Sequence, residues 1–479
     1  MRVGQQSFVV FSSNILKSLL GFVATLYIAR ELGAEILGFY AVIIALVAWL
    51  EMGGKLGISS ALIKRISEQT APAEHIGAAA LAIFSFALVI AGMVYLLSDW
   101  VDAYVGVEAT MFVIFLLFVG LFYALVTAVL KGQRLVYITG LLSAGRTGVR
   151  SIIQITVVFL GFGLGGLVLG AGIGAIVAGL SGLVFVSVGI ARPQRSHFRS
   201  LFDFAKYSWL GTLKSRTFND VDIVILGALV APALVGIYAV AWSIAQFLKL
   251  FGDAIGQTMF PEMSMADAQD RKEYVATLVN DSLTYSGLLV IPGLLGGIIL
   301  GDRLLRIYGD EFVQGTAVLG LLILAALFYS YQKQFAIALN GIDRPDIAFR
   351  INLIFIVTNA GLNVVLIYYM GWVGAAIASV VSALLVLILG FHMLRQLVRF
   401  TVPVDEISRQ VFAAIIMAGV VIAVHEAIIM SELVRHNAII LVTLVGIGAA
   451  VYFAVLLFIS TTFRRTIADN LPDPIPGLH

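Results

Sequence analysis

Eight basic and four acidic side chains interrupt stretches that are otherwise apolar: Lys17, Lys55, Arg146, Arg150, Lys214, Arg216, Lys249 and Lys333 against Glu51, Asp220, Asp222 and Asp253. A charge at the middle of a membrane helix costs roughly 2.5–3.5 kcal/mol on insertion scales, so each of these must face a cavity or a partner. Cations stay in excess even when every acid is paired. An anionic cargo explains that surplus; a cationic drug or a metal ion does not.

The spacing sharpens the chemistry. Arg146, Arg150 and Gln154 recur at i, i+4 and i+8 and so share one helical face. Two arginines one turn apart repel unless an anion or an acid lies between them, and the guanidinium fork suits phosphate oxygens. The competing reading is snorkelling to inner-leaflet headgroups, since Arg146 is only about 15 Å along its helix from the inner end. Lys17, one turn after Asn14, is too deep to snorkel easily and reads as cavity lining. Arg216 and Asp220 are i, i+4 and can satisfy each other, while Lys214 points elsewhere on that helix. Asn14, Lys17, Arg146, Arg150, Gln154, Lys214 and Arg216 are thus the candidate cationic cavity. Asp220 and Asp222 are candidates for ion coupling, or for a salt bridge at a helix end.

The elements that must position these residues are membrane helices. With 60% hydrophobic and 12% charged residues among 479, the chain lies outside the soluble range, and an all-α polytopic membrane protein is expected. There is no Cys, hence no disulfide framework. About fourteen runs reach the roughly 20 residues that a membrane crossing needs: 8–29, 38–62, 76–97, 110–130, 137–160, 164–191, 205–229, 234–258, 276–300, 313–339, 348–369, 372–394, 410–430 and 438–459. The first, from Phe8 to Ala29, reads as a retained helix.

With both termini cytoplasmic, the inside loops carry most Lys and Arg, from Lys64 and Arg65 to Arg464 and Arg465; the outside loops keep only Arg30, Arg303, Arg306 and Arg435. The acidic stretch 98–109 agrees with an outside position. The basic linker 192–199 divides two six-helix lobes, giving 1–203, 204–395 and a two-helix addition with tail at 396–479. Pro261 is expected to end the eighth helix, and residues 341–345 to form a turn.

One signature occurs twice. Leu32-Gly33 followed by Gly38-Phe39-Tyr40-Ala41 returns as Leu226-Gly227 followed by Gly236-Ile237-Tyr238-Ala239, the mark of a duplicated transporter with a parallel repeat. Aligning Gly38 with Gly236 fixes an offset of 198, which places Glu51 on Lys249 and Lys55 on Asp253. Each copy carries an i, i+4 ion pair with its sign reversed. Pairing across the lobes would make Glu51, Lys55, Lys249 and Asp253 a cytoplasmic gate; pairing within each helix is the alternative.

The segments "ELGAEILGFYAV" at 31–42, "NDVDIVILGALVAPALVGIYAVAWSIAQFL" at 219–248 and "FPEMS" at 260–264 resemble the polysaccharide and oligosaccharide (Wzx-like) flippases of the multidrug/oligosaccharidyl-lipid/polysaccharide exporter superfamily. The resemblance extends over essentially the whole chain. It implies movement of prenol-phosphate- or pyrophosphate-linked saccharide from the inner to the outer leaflet of the plasma membrane by alternating access, for surface polysaccharide or glycoprotein. A monomer is expected, with the bilayer and glycan-assembly enzymes as partners and no cofactor. Lipid II flippases and multidrug antiporters share the fold, so a multidrug or cation antiporter is the alternative, though it would favour an acidic, aromatic cavity. A membrane-embedded glycosyltransferase or polymerase would need a catalytic loop, and the short loops argue against one. Catalytic motifs are lacking too. The GxGxxG match at 161–166 has no strand before it, and the run Gly166, Gly170, Gly174, Ala178, Gly182 reads as a helix-packing face. Asp220-Val221-Asp222 lacks a nucleotide-binding domain around it, and His425-Glu426 lacks the second His of a zinc site. No basic patch with interleaved aromatics suggests nucleic acid.

Overall fold

The computed structural model describes residues 3–69, 71–431 and 436–470, apart from the side chains at 3–12, 14, 15, 207, 209–212, 214–216, 218, 219, 431 and 467–470. Arg435 and the side chains of Asn14, Lys214 and Arg216 therefore lie outside the described residues. Those described are helical, with no strand. In chain order the helices are α1 (Val3–Lys55), α2 (Ile58–Ser67), α3 (Pro72–Leu96), α4 (Ser98–Val105), α5 (Thr110–Gly132), α6 (Val136–Phe159), α7 (Leu164–Leu183), α8 (Arg195–Leu229), α9 (Pro232–Ala268), α10 (Lys272–Ser286), α11 (Val290–Arg306), α12 (Thr316–Gly341), α13 (Pro345–Met370), α14 (Trp372–Arg395), α15 (Val404–Ser431), α16 (Asn437–Ile459) and α17 (Thr461–Asn470).

Eleven spans among the described residues are long and apolar enough to cross a membrane, against the fourteen expected. The difference has identifiable sources. The expected first two segments form one helix, α1, bent at Gly33 (φ 75°, ψ 176°), a backbone conformation that only glycine adopts cheaply. The expected fifth and seventh segments do form helices, α6 and α8, but are not among the apolar spans. Two expected helices are also broken. The run 38–62 stops at Lys55, where Leu56 (φ 40°) and Gly57 (φ 80°) turn the chain into α2. The run 276–300 is interrupted between Ser286 and Val290.

Pro261 does not end a helix: α9 continues through it to Ala268. Proline removes one backbone hydrogen bond and crowds the carbonyl four residues earlier, a local loss that a long membrane helix tolerates. The turn at 341–345 forms as expected, with Asp343 at φ 55° between α12 and α13.

Contacts group the chain into two units, residues 1–240 with 356–375, and residues 241–355 with 376–479. The cuts fall inside α9, α13 and α14.

In the first unit, Ile58, Leu62 and Ile66 of α2 share a core with Ile76 and Ala79 of α3, Leu117 and Leu121 of α5, and Leu201 and Ala205 of α8. The basic linker before α8 is fastened to this core. Ala191 N–H donates to Ala73 O at 3.1 Å, and a Cβ on Gly77 would come within 2.2 Å of Ala191 O. The small-residue face of α7 meets α6: a Cβ on Gly170 would lie 2.5 Å from the Gln154 side chain, and one on Gly174 would lie 2.8 Å from Arg146 O. Close helix approach is what small residues permit where lipid gives no hydrophobic drive to associate.

Further along α1, beside Phe39 and Val42, Tyr104 of α4 donates to Val224 O at 2.6 Å. Asp102 accepts from the Ala109 and Thr110 amides at 2.8 Å and from the Thr110 hydroxyl at 2.9 Å, capping α5. Burial pushes the Asp102 carboxyl up, but these donors outweigh it and hold it below the usual range.

In the second unit, Phe335, Phe391 and Phe400 form a ring cluster with centroids 5.7–6.2 Å apart. The helices without a repeat counterpart, α15 and α16, are tied to α11. Arg303 Nε donates to His425 Nε2 at 2.5 Å and Arg303 Nη1 to Asn437 Oδ1 at 3.1 Å, while Asn437 Nδ2 donates to Arg303 O at 2.8 Å.

Candidate functional site

Within the first unit, α6 packs along α1 and brings the sequence-predicted cations together. Ser151 Oγ donates to Leu20 O at 3.3 Å, which sets Arg150 beside the stretch of α1 that carries Lys17. The Lys17 ammonium is near enough to Arg150 and Arg146 for both guanidinium charges to act on it. Among the described residues none of the three has a carboxylate within ion-pair distance. Arg146 stacks its guanidinium 4.7 Å from the Tyr123 ring centroid, a cation–π contact that leaves its donors free for another acceptor. Arg150 Nε is buried without a hydrogen-bond partner. Like charges gathered in this way need an anion to offset them.

Gln154, on the same stripe, is buried at 2% exposure. It donates to Leu167 O at 2.7 Å and to the Tyr40 hydroxyl at 3.0 Å. In this arrangement it holds α6 to α7 and to α1.

Asp222 is buried at 6% exposure. It accepts from the Tyr238 hydroxyl at 2.6 Å and from Asn363 Nδ2 at 2.8 Å. Asn359 and Asn363 are equally buried, and the side-chain carbonyl oxygens of both have no partner. A carboxylate whose two oxygens both accept hydrogen bonds thus lies in an apolar interior, on the α8–α13 contact that also carries two buried asparagines. Asp220 is half-buried on the same helix. Sequence reasoning missed the asparagines; their i, i+4 spacing in an apolar helix was the available signal. It also missed the two tyrosines of the duplicated signature, Tyr40 and Tyr238, each of which anchors a buried polar residue.

The four expected gate residues make these contacts. In the first unit Lys55 Nζ lies 2.8 Å from Glu51 Oε2 in the same helix. In the second, Asp253 meets Lys333 at 2.7 Å. Lys249, only 3% exposed, donates to Gln246 Oε1 at 2.8 Å and sits 4.4 Å from the Tyr329 ring centroid. Lys333 and Tyr329 are partners the sequence did not announce.

The duplicated signature folds onto itself within the first unit. A Cβ on Gly38 would lie 1.8 Å from Pro232 O, and one on Gly236 would lie 2.0 Å from Ala34 O. Residues 34 and 232 stand 198 apart, as do 38 and 236, so the contact is reciprocal about the repeat axis.

A membrane chain that is helical throughout its described residues, built on a repeat that closes on itself and bearing cations with no carboxylate partner among those residues, belongs among the polytopic transporters. A family model described as "Polysaccharide biosynthesis protein" matches residues 3–267, and one described as "MatE" matches residues 216–365. The chain is 32% identical to the probable flippase AglR of Haloferax volcanii, over 99% of each sequence. It is 28% identical to the probable low-salt glycan biosynthesis flippase Agl15 of the same organism, over 99% of this chain and 100% of that one. The structure of the lipid II flippase MurJ in an inward closed conformation shares the fold with a TM-score of 0.80, covering 96% of this chain and 100% of that one at 15% identity. The protein is a member of the polysaccharide biosynthesis protein family.

Proposed function

We propose that the protein is a flippase that carries saccharide linked to a prenol phosphate or pyrophosphate from the inner to the outer leaflet. The gathering of Lys17, Arg146 and Arg150 along the α1–α6 contact, with no carboxylate at ion-pair distance among the described residues, carries this reading, because a phosphate ester would offset three cations there. The full-length likeness to proteins named as flippases supports it. The lobes rock about the cavity while the prenyl tail stays in lipid, and no covalent bond of the cargo changes. Both termini face the cytoplasm, and the protein works as a monomer alongside glycan-assembly enzymes. Asp222, with Asn359, Asn363 and neighbouring Asp220, is the place where a coupling cation or proton acts. Deletion of the gene should accumulate lipid-linked saccharide on the cytoplasmic face, reversed by the wild-type gene. Normal outer glycans without accumulation would reject the reading.

The sign-reversed quartet Glu51, Lys55, Lys249 and Asp253 is proposed as the gate on the register of the repeat alone. Glu51→Lys and Lys249→Glu should each impair transport, and the two together should restore it. A double variant as impaired as either single one counts against the gate.

A further inference from the structure

We infer that a second phosphate site lies in the first unit where α1 and α5 end and α2 begins, separate from the Lys17, Arg146 and Arg150 cluster, and that it takes the phosphate ester of a lipid. A cavity of about 210 Å³ opens there, lined by Lys55, Ser59, Ser60, Ile63 and Lys131 among others. It is smaller than the roughly 300–1,000 Å³ of clefts that enclose drug-sized ligands, a size that suits a headgroup phosphate.

The donors converge. Lys131 is exposed at the end of α5 and has no carboxylate partner among the described residues. Lys55 keeps donors beyond the one it gives to Glu51, the carboxylate paired with it. Ser59 Oγ lines the cavity buried and without a partner. Ser60 stands beside it in the first turn of α2, where Gly57 sets the helix start with a left-handed φ of 80°. Two ammonium groups and the serine hydroxyls around one small space form an oxyanion site. Apolar walls such as Ile63 and Ala128 beside the cations suit an amphiphile better than a free ion.

The location gives the site a purpose. Lys131 and Tyr123 are eight residues apart on α5, about 12 Å along the helix, and Tyr123 carries Arg146 on its ring. The pocket is therefore the lower rung of a cationic track that continues through Arg146 to Arg150. On the flippase reading, on which this purpose rests, it loads the cargo phosphate before the cavity receives it. A resident phospholipid headgroup has the same chemistry.

The test uses the full chain in nanodiscs of phosphatidylcholine, with farnesyl monophosphate as the titrated probe. Lys131→Gln should weaken binding about tenfold, in line with the loss of one charged hydrogen-bond donor. Lys131→Arg should keep the affinity, and Ser59→Ala should weaken it further when added to Lys131→Gln. Displacement by phosphatidylglycerol from the wild type, lost in Lys131→Gln, would identify the resident lipid as the occupant; no displacement would identify the cargo. Wild-type affinity in Lys131→Gln, with monodisperse protein, overturns the pocket. The flippase reading stands or falls separately on the deletion experiment, in which this pocket plays no part.

Discussion

Gly38→Val should stop transport without unfolding the protein, and Gly236→Val should do the same. A Cβ at either position would meet a backbone oxygen at 1.8 or 2.0 Å, where real Cβ atoms essentially never come closer than 3.0 Å. No rotamer relieves a clash with a backbone carbonyl, so the helix backbones at Ala34 and Pro232 must move away from the added side chains. Overpacking typically costs about 1–3 kcal/mol, and more where the backbone itself must move. At 1.4 kcal/mol per factor of ten, about 3 kcal/mol shifts a two-state equilibrium by more than a hundredfold. A transporter that visits this contact once per cycle would lose it from the cycle. Because the contact is two-fold about the repeat axis, either copy of the signature should give the same defect, as either half of a symmetric interface does. Gly92→Ala is the control, since nothing lies within 4 Å of the added atom. Wild-type flux in Gly38→Val would show that the contact has no part in transport.

Arg150→Gln should lower transport by roughly tenfold to a hundredfold while leaving thermal stability equal or higher. The two readouts move apart for one reason. A charged hydrogen bond to a phosphate contributes about 1.5–3 kcal/mol to binding, whereas in the empty protein Arg150 stands among like charges with its Nε buried and unpartnered. Removing it relieves repulsion and a desolvation cost. Gln is shorter but keeps the Cβ, Cγ and Cδ, so the close approach of α7 to α6 at Gly174, which depends on the Arg150 backbone and Cβ, is undisturbed. Arg146→Gln should differ, because it also loses the contact with Tyr123, worth about 0.5–2 kcal/mol, and should lower stability. A fall in stability for Arg150→Gln equal to that of Arg146→Gln would mean that Arg150 holds the fold instead of the cargo.

The helical membrane class, the repeat, the basic surplus and the packing face of α7 were all legible along the chain, because each is a statement about neighbours in sequence. Apolar length, periodicity and spacing carry that information wherever the helices dock. The accidental GxGxxG was legible for the same reason, since it starts in the loop between α6 and α7 and runs into the first turn of α7, with no strand before it. The bend at Gly33 was half legible: the signature marked the place, but the continuous α1 depends on one backbone angle.

Partners were not legible. Gln154 shared a stripe with two arginines, yet its donors go to Leu167 and Tyr40. Asp253 matched Lys55 by register, but its carboxylate meets Lys333, eighty residues away. Asp222 looked like one more acid near a helix end until Tyr238 and Asn363 closed around it.

By itself the sequence determined that this protein spans a membrane, that it is duplicated, and that it keeps more cations inside than acids. Only the tertiary structure decided which cations stay uncompensated. Composition fixes how many charges must be satisfied, but a charge takes its partner within a few ångströms, and helix packing alone sets which residues come that close.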